Sequence, residues 1–193
     1  MTDDTSPTTD APLTGETSAT AGTSPTANDL AFRRVADADW EAVVALEFAA
    51  YAADDLSEGR ESLQARGRSS PDTCFVVELR GEVIGYVLSL PYPLYECPDL
   101  GSVEPAAPPA DPPSRNLHIH DLVIAEEWRS KDVALRFMRH LKAYAQAQGF
   151  ERISMVAVRR SDILLAMLGY RTHREVVVPE CYGRRAVYMS LAI

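Results

Sequence analysis

The chain predicts an α+β domain with a mixed, mostly antiparallel central sheet of about seven strands, flanked by about four helices. Three observations carry that expectation. Strand-length apolar runs occur in adjacent pairs toward both ends of the sequence, as antiparallel hairpins do. A single strand–helix–strand unit lies between them, with the spacing of a parallel crossover. The long helix of that unit repeats its apolar residues at 3.6-residue spacing.

The elements follow in order. Leu30 to Val35, "LAFRRV", reads as a first strand. In "ADADWEAVVALEFAAYAA", Trp40, Val43, Val44, Leu46 and Tyr51 fall near helical spacing, and Asp37 or Asp39 is available as a cap. Ser57 to Arg68 predicts a second, more polar helix. "TCFVVELRGEVIGYVLSLPY" predicts a hairpin turning at Gly81, with its second strand bending or ending near Gly85 and the prolines beyond it. Residues 91–115 hold eight prolines and predict a long irregular loop, either a functional cover or a disordered excursion. Asn116 to Ile124, "NLHIHDLVI", is a strand. The helix after it carries Ala134, Phe137, Met138, Leu141 and Ala145 on one stripe and stops at Gly149. Arg152 to Val158 is a buried strand, "SDILLAMLGY" a short helix, and "THREVVV" and "AVYMSLAI" the last two strands.

Residues 1–29 stand apart. They are Thr, Ser, Pro, Ala and acid, with no Lys or Arg, and predict a disordered acidic tail. Five acids (Asp3, Asp4, Asp10, Glu16, Asp29) place −5 of the net charge of −9 there, so residues 30–193 form one mildly acidic domain. That balance disfavours nucleic acid, whose phosphates need a basic footprint. No apolar stretch approaches the roughly 18 residues of a membrane span. Cys74, Cys97 and Cys181 form no CxxC or His–Cys cluster, so no metal site is expected. The odd cysteine count and the lack of basic and apolar leader regions predict a cytoplasmic protein.

From Leu117 to Tyr170 the chain reads "LHIHDLVIAEEWRSKDVALRFMRHLKAYAQAQGFERISMVAV" followed by a short helix and "LGY". This order resembles the GNAT acyltransferase superfamily, and the resemblance extends over residues 30–193. It implies acyl transfer from acetyl-CoA, another acyl-CoA or a carrier thioester to a small-molecule amine, by a monomer or a homodimer. It also implies that the central strand lines the pantetheine arm of the donor with Leu122, Val123 and Ile124. The turn after it, patterned (Q/R)xxGx(G/A) in the family, takes the pyrophosphate at a helix N-terminus, where amides and dipole favour an anion. Carried over, that turn is Arg129, Ser130, Lys131, Asp132, Val133 and Ala134. Arg129 and Ala134 fit. Asp132 stands at the glycine, and its carboxylate is expected to cap the helix amides. Leu165 stands where many members have a proton-donating Tyr, and "VRRSD" replaces the usual Asn after the fifth strand. These departures leave a second reading open: the same fold serving as a binding or regulatory module, or running a different acid–base reaction in the same cleft.

The residues offer their own candidates. His118 and His120 alternate on the central strand with Asp121 adjacent, and an imidazole near pKa 6.5 suits a base acting on an amine. These are the catalytic candidates. Arg159, at a strand end facing the cleft, suits a carboxylate or phosphate, and Tyr92 and Tyr95 suit the wall of a substrate pocket. Trp128 is expected either to join that wall or to pack under the helix start.

Overall fold

A computed structural model describes residues 29–54, 56–100, 114–129 and 132–193. The tail expected over residues 1–29 therefore lies outside the described residues except for Asp29, as do Ser130, Lys131 and residues 101–113 of the proline-rich loop.

The strands are β1 (Leu30–Arg34), β2 (Phe75–Leu79), β3 (Glu82–Pro91), β4 (Asn116–Ile124), β5 (Arg152–Ala157), β6 (Arg171–His173) and β7 (Val187–Ala192). The helices are α1 (Trp40–Tyr51), α2 (Gly59–Ser69), α3 (Val133–Ala147) and α4 (Asp162–Met167). One sheet runs in the order β1-β2-β3-β4-β5-β7-β6. Every neighbouring pair is antiparallel except β4 and β5, which α3 joins as the parallel crossover.

Each face of the sheet has its own core. On one, Phe137, Leu141 and Ala145 of α3 pack on Val77, Leu117, Ile119 and Ile153, and Trp128 leans on the edge of this layer. On the other, Trp40, Val43 and Ala50 of α1 and Leu63 of α2 pack on Val76, Tyr86, Leu88 and Val123. Alternation along the strands divides the apolar side chains between the two layers.

One local expectation is corrected, and the alternatives at Gly85 are narrowed. The strand expected over "THREVVV" ends at His173, because Val176 donates its N–H to the His173 carbonyl (3.3 Å) and turns the chain out of the sheet. Val177, for all its β preference, is left almost fully exposed. Gly85 does not end its strand. β3 continues to Pro91, with a register irregularity opposite Val77 and Glu78. A Cβ at Gly85 would lie 2.5 Å from Ile124 Cδ1 and 2.7 Å from the Val123 carbonyl, so the glycine permits close approach to β4.

The α1–α2 pair depends on a second such approach. A Cβ at Gly67 would sit 2.3 Å from the Trp40 ring. Gly67→Ala is expected to lower unfolding free energy by about 1–3 kcal/mol through overpacking, despite the better helix propensity of alanine. Urea denaturation measures it, and an unchanged or raised midpoint would contradict the packing argument.

Candidate active site

β4 and β5 pair only from Asn116 to Ile119, whose last partner is Met155. Beyond that point β4 continues with β3 to Ile124, and β5 continues with β7 to Ala157. The strands splay, and residues 121–124 of β4 keep a partner strand on one side only. A cavity of about 500 Å³ fills the splay. Ala134, Leu135 and Met138 of α3 and Leu164, Leu165 and Leu168 give it apolar lining. Tyr51, Leu56, Glu58, Leu100, His120, Asp121 and Tyr182 line it too.

A β-bulge shapes the middle. Leu88 pairs with Asp121 and the next residue, Ser89, with Ile119, so His120 is the extra residue. Bulges re-aim side chains in this way. In a regular strand His120 and Asp121 would point to opposite faces. Here both reach the α1–α2 side, His120 to Glu58 and Asp121 to Tyr51 and Tyr86.

The His120 side chain has no solvent exposure, and its Nε2 lies 2.6 Å from Glu58 Oε1. A carboxylate can only accept from a neutral ring, which puts the neutral-ring proton on Nε2. Nδ1 then carries the lone pair. It is buried and has no hydrogen-bond partner among the described residues. Glu58 is itself held. Arg66 donates to its Oε2 from Nη2 (2.6 Å) and Nε (3.1 Å). Burial pushes the Glu58 carboxyl up, but His120 and Arg66 outweigh it and hold the group below its ordinary value. The backbone of Glu58 is fixed by Glu47, whose buried carboxylate accepts from the Glu58 N–H (2.6 Å) and the Ser57 hydroxyl (2.7 Å). The acid of α1 thus caps α2, which has no side-chain cap at its own N-terminus.

Asp121 accepts from Tyr51 (2.8 Å) and from Tyr86. Burial raises its carboxyl above the usual range, and it raises both tyrosines well above theirs. The pair of hydroxyls occupies both carboxylate oxygens. Leu165 offers the cavity no hydroxyl; Tyr51 and Tyr182 line it instead. The Tyr182 hydroxyl donates to the Pro98 carbonyl (2.7 Å).

At the turn, Arg129 lines the cavity and donates from Nε to the Ile124 carbonyl (2.9 Å). Asp132 has φ +59°, the left-handed region that favours glycine and that Asp tolerates better than most residues. The expectation that its carboxylate caps α3 is corrected: no side-chain cap bond forms at this exposed residue, whose left-handed backbone departs from the extended one that capping uses. The leading amides of α3 have no carbonyl within the helix; the first such bond joins Arg136 N–H to the Asp132 carbonyl.

The other expected site residues are placed as follows. Leu122, Val123, Ile124 and Ala134 line the cavity, while Val133 is fully buried in the α3 core. Arg159 lines the cavity with φ +53° and donates from Nη1 to the Ala50 carbonyl (2.5 Å), reaching from β5 to α1. His118 is buried away from the cavity lining, bonded through Nδ1 to Ser154 (3.0 Å) and stacked on Tyr188. Burial pushes it down to about 3, so it is neutral. Tyr92 and Tyr95 do not line the cavity either; they lie beside His118 and His173 respectively. The structure therefore gathers His120, Asp121 and Arg159 and separates them from His118, Tyr92 and Tyr95. Tyr51, Glu58, Arg66 and Tyr86 escaped the sequence reading. Charge within a polar helix start was the only available signal for Glu58, and it does not distinguish a site from a solvated surface.

Residues 40–168 match the sequence model of the acetyltransferase (GNAT) family. No curated protein matches the chain. Among solved structures, the loading GNATL domain of CurA from Lyngbya majuscula superposes with TM-score 0.70 at 15% identity, covering 84% of this chain and 97% of that one. The GNAT-like decarboxylase GphF, in complex with isobutyryl-CoA, gives 0.66 at 18%, covering 84% and 98%. Ard1 from Thermoplasma volcanium gives 0.62 at 15%, covering 86% and 98%. At these identities the likeness is one of fold.

Proposed function

Because the chain belongs to the acetyltransferase (GNAT) family, we propose that it transfers an acyl group from an acyl-CoA to a small-molecule amine across the splay, with His120 as the base. The observation that carries this reading is His120, a residue lining the cavity, whose Nδ1 is buried and unpartnered among the described residues while the opposite nitrogen is held by Glu58.

The residues suit a CoA arm. The one-sided stretch of β4 from Asp121 to Ile124 presents backbone groups to its amides, and the apolar side chains of α3 and α4 border the same space. Arg129 and the leading amides of α3 would hold its phosphates. That a fold neighbour carries isobutyryl-CoA supports an acyl-CoA in this kind of cleft. The thioester supplies an activated acyl carbon. The chain supplies the rest. An alkylamine with a pKa near 10.4 is an ammonium at neutral pH and must lose a proton to react. His120 takes it on Nδ1, and the charge that appears on the ring is balanced by Glu58. Isothermal titration with acetyl-CoA and longer acyl-CoAs tests the reading. A folded protein that binds none of them would end it.

Asp132 sets the expected affinity. A carboxylate about 4 Å from a phosphate charge costs roughly 1 kcal/mol in water. Asp132→Gly is therefore expected to tighten acetyl-CoA binding about fivefold. Should the parent bind nothing and the variant bind well, the turn is degenerate, and the second reading, a GNAT-fold module without ordinary acyl transfer, replaces the first.

A further inference from the structure

Arg66 is 8% exposed and satisfies two partners that belong to different parts of the site. Its Nε and Nη2 hold Glu58, which holds His120. Its Nη2 also donates to the backbone carbonyls of Asp99 (3.0 Å) and Leu100 (3.3 Å). Those carbonyls lie on a strap, Pro98 to Leu100, that reaches the cavity lining at Leu100. The Tyr182 hydroxyl pins the strap at Pro98, and the Cys181 thiol lies 3.3 Å from Asp99 Oδ1. Leu56, Leu100 and Tyr182 line the same cavity as Glu58 and His120.

We infer that Arg66 is a positioning residue that ties closure of the Pro98–Leu100 strap over the acceptor amine to the orientation of His120. The inference rests on the reading of His120 as base. One guanidinium serves the strap carbonyls and the carboxylate with a single planar fork, so the strap cannot lift without withdrawing hydrogen-bond partners from Arg66. Glu58 depends on Arg66 for its charge partner, and His120 depends on Glu58 for its tautomer. An acceptor that fills the lobe under Leu100 keeps the strap down and the base aligned. An empty lobe leaves Arg66 with less to hold. Amines whose bulk reaches Leu56, Leu100 and Tyr182 are then favoured over those that do not.

Three variants test this, with steady-state kinetics over pH for each substrate and ring-nitrogen NMR of His120. Arg66→Lys keeps the charge and loses the fork. It is expected to raise the acceptor KM about tenfold, the value of one hydrogen bond to a charged group, with the acyl-CoA dissociation constant unmoved. Arg66→Met removes both the charge and the fork beside Glu58, so the His120 ring-nitrogen shifts should also change, and Arg66→Lys should return them toward the parent's. Leu100→Ala leaves the carbonyls in place and is expected to raise the acceptor KM without changing the His120 ring-nitrogen shifts, which keeps the test alive should Arg66→Met fail to fold. Equal losses for acyl-CoA and acceptor, or a wild-type acceptor KM in both Arg66→Lys and Leu100→Ala, would overturn the coupling. A fully active His120→Gln would instead remove the base reading beneath it, and the inference with it.

Discussion

His120→Gln is expected to lower kcat/KM for the acceptor by roughly 10²–10⁴, the usual worth of a positioned general base. The substitution is chosen for its shape. A glutamine amide can donate to Glu58 as the imidazole does, so the buried carboxylate keeps a partner and the fold should survive. What it lacks is the basic ring nitrogen. The loss should therefore fall on the rate, with acyl-CoA binding unchanged because the substitution leaves Arg129 and the start of α3 untouched. Near-wild-type kcat/KM would move the proton acceptor away from His120.

Glu58→Ala is expected to cost about 3–5 kcal/mol of stability, because it leaves the buried Arg66 guanidinium without its carboxylate. Against a total of roughly 5–15 kcal/mol that is a large share. Urea denaturation should show a lower midpoint with little change in slope. The effect has a sign with pH. The folded Glu58 carboxyl is held below its ordinary value by His120 and Arg66 against the opposing effect of burial. Its stabilising contribution is thus present above the ordinary carboxyl value near 4.3 and is lost as pH falls through the lowered folded value. The gap between wild type and variant should be full at neutral pH and narrow in acid. A gap that does not change with pH would mean that Glu58 acts through packing alone. The same variant should also lose activity, since nothing then selects the His120 tautomer.

The two local corrections share a cause. "THREVVV" has the composition of a strand, but composition cannot show that the Val176 N–H turns back to His173. Asp132 has the chemistry of a helix cap, but capping uses an extended backbone at that residue, and with the left-handed one found here no cap bond forms. In each case a propensity was read correctly and a backbone dihedral or a hydrogen bond overrode it.

The catalytic candidates illustrate the boundary more sharply. Alternation made His118 and His120 equivalent. The structure makes them opposites, one neutral and locked to Ser154, the other held by Glu58 with its second nitrogen buried and unpartnered among the described residues. Asp121 was legible as a neighbour, but its place on the same face as His120 depends on a bulge that the strand sequence does not announce. Glu58 and Arg66 lie 62 and 54 positions before His120, counting from the sequence numbers. No local pattern links residues so far apart.

The order of strands and helices and the single crossover were determined by the sequence alone. They follow from periodicity and spacing, which act between near neighbours and are therefore written along the chain. Which histidine faces the cleft, what holds it, and what roofs it were decided only in the tertiary structure. Those depend on the splay, the bulge and the meeting of α2 with β4 and the strap, and each arises from contacts between segments that the chain keeps far apart.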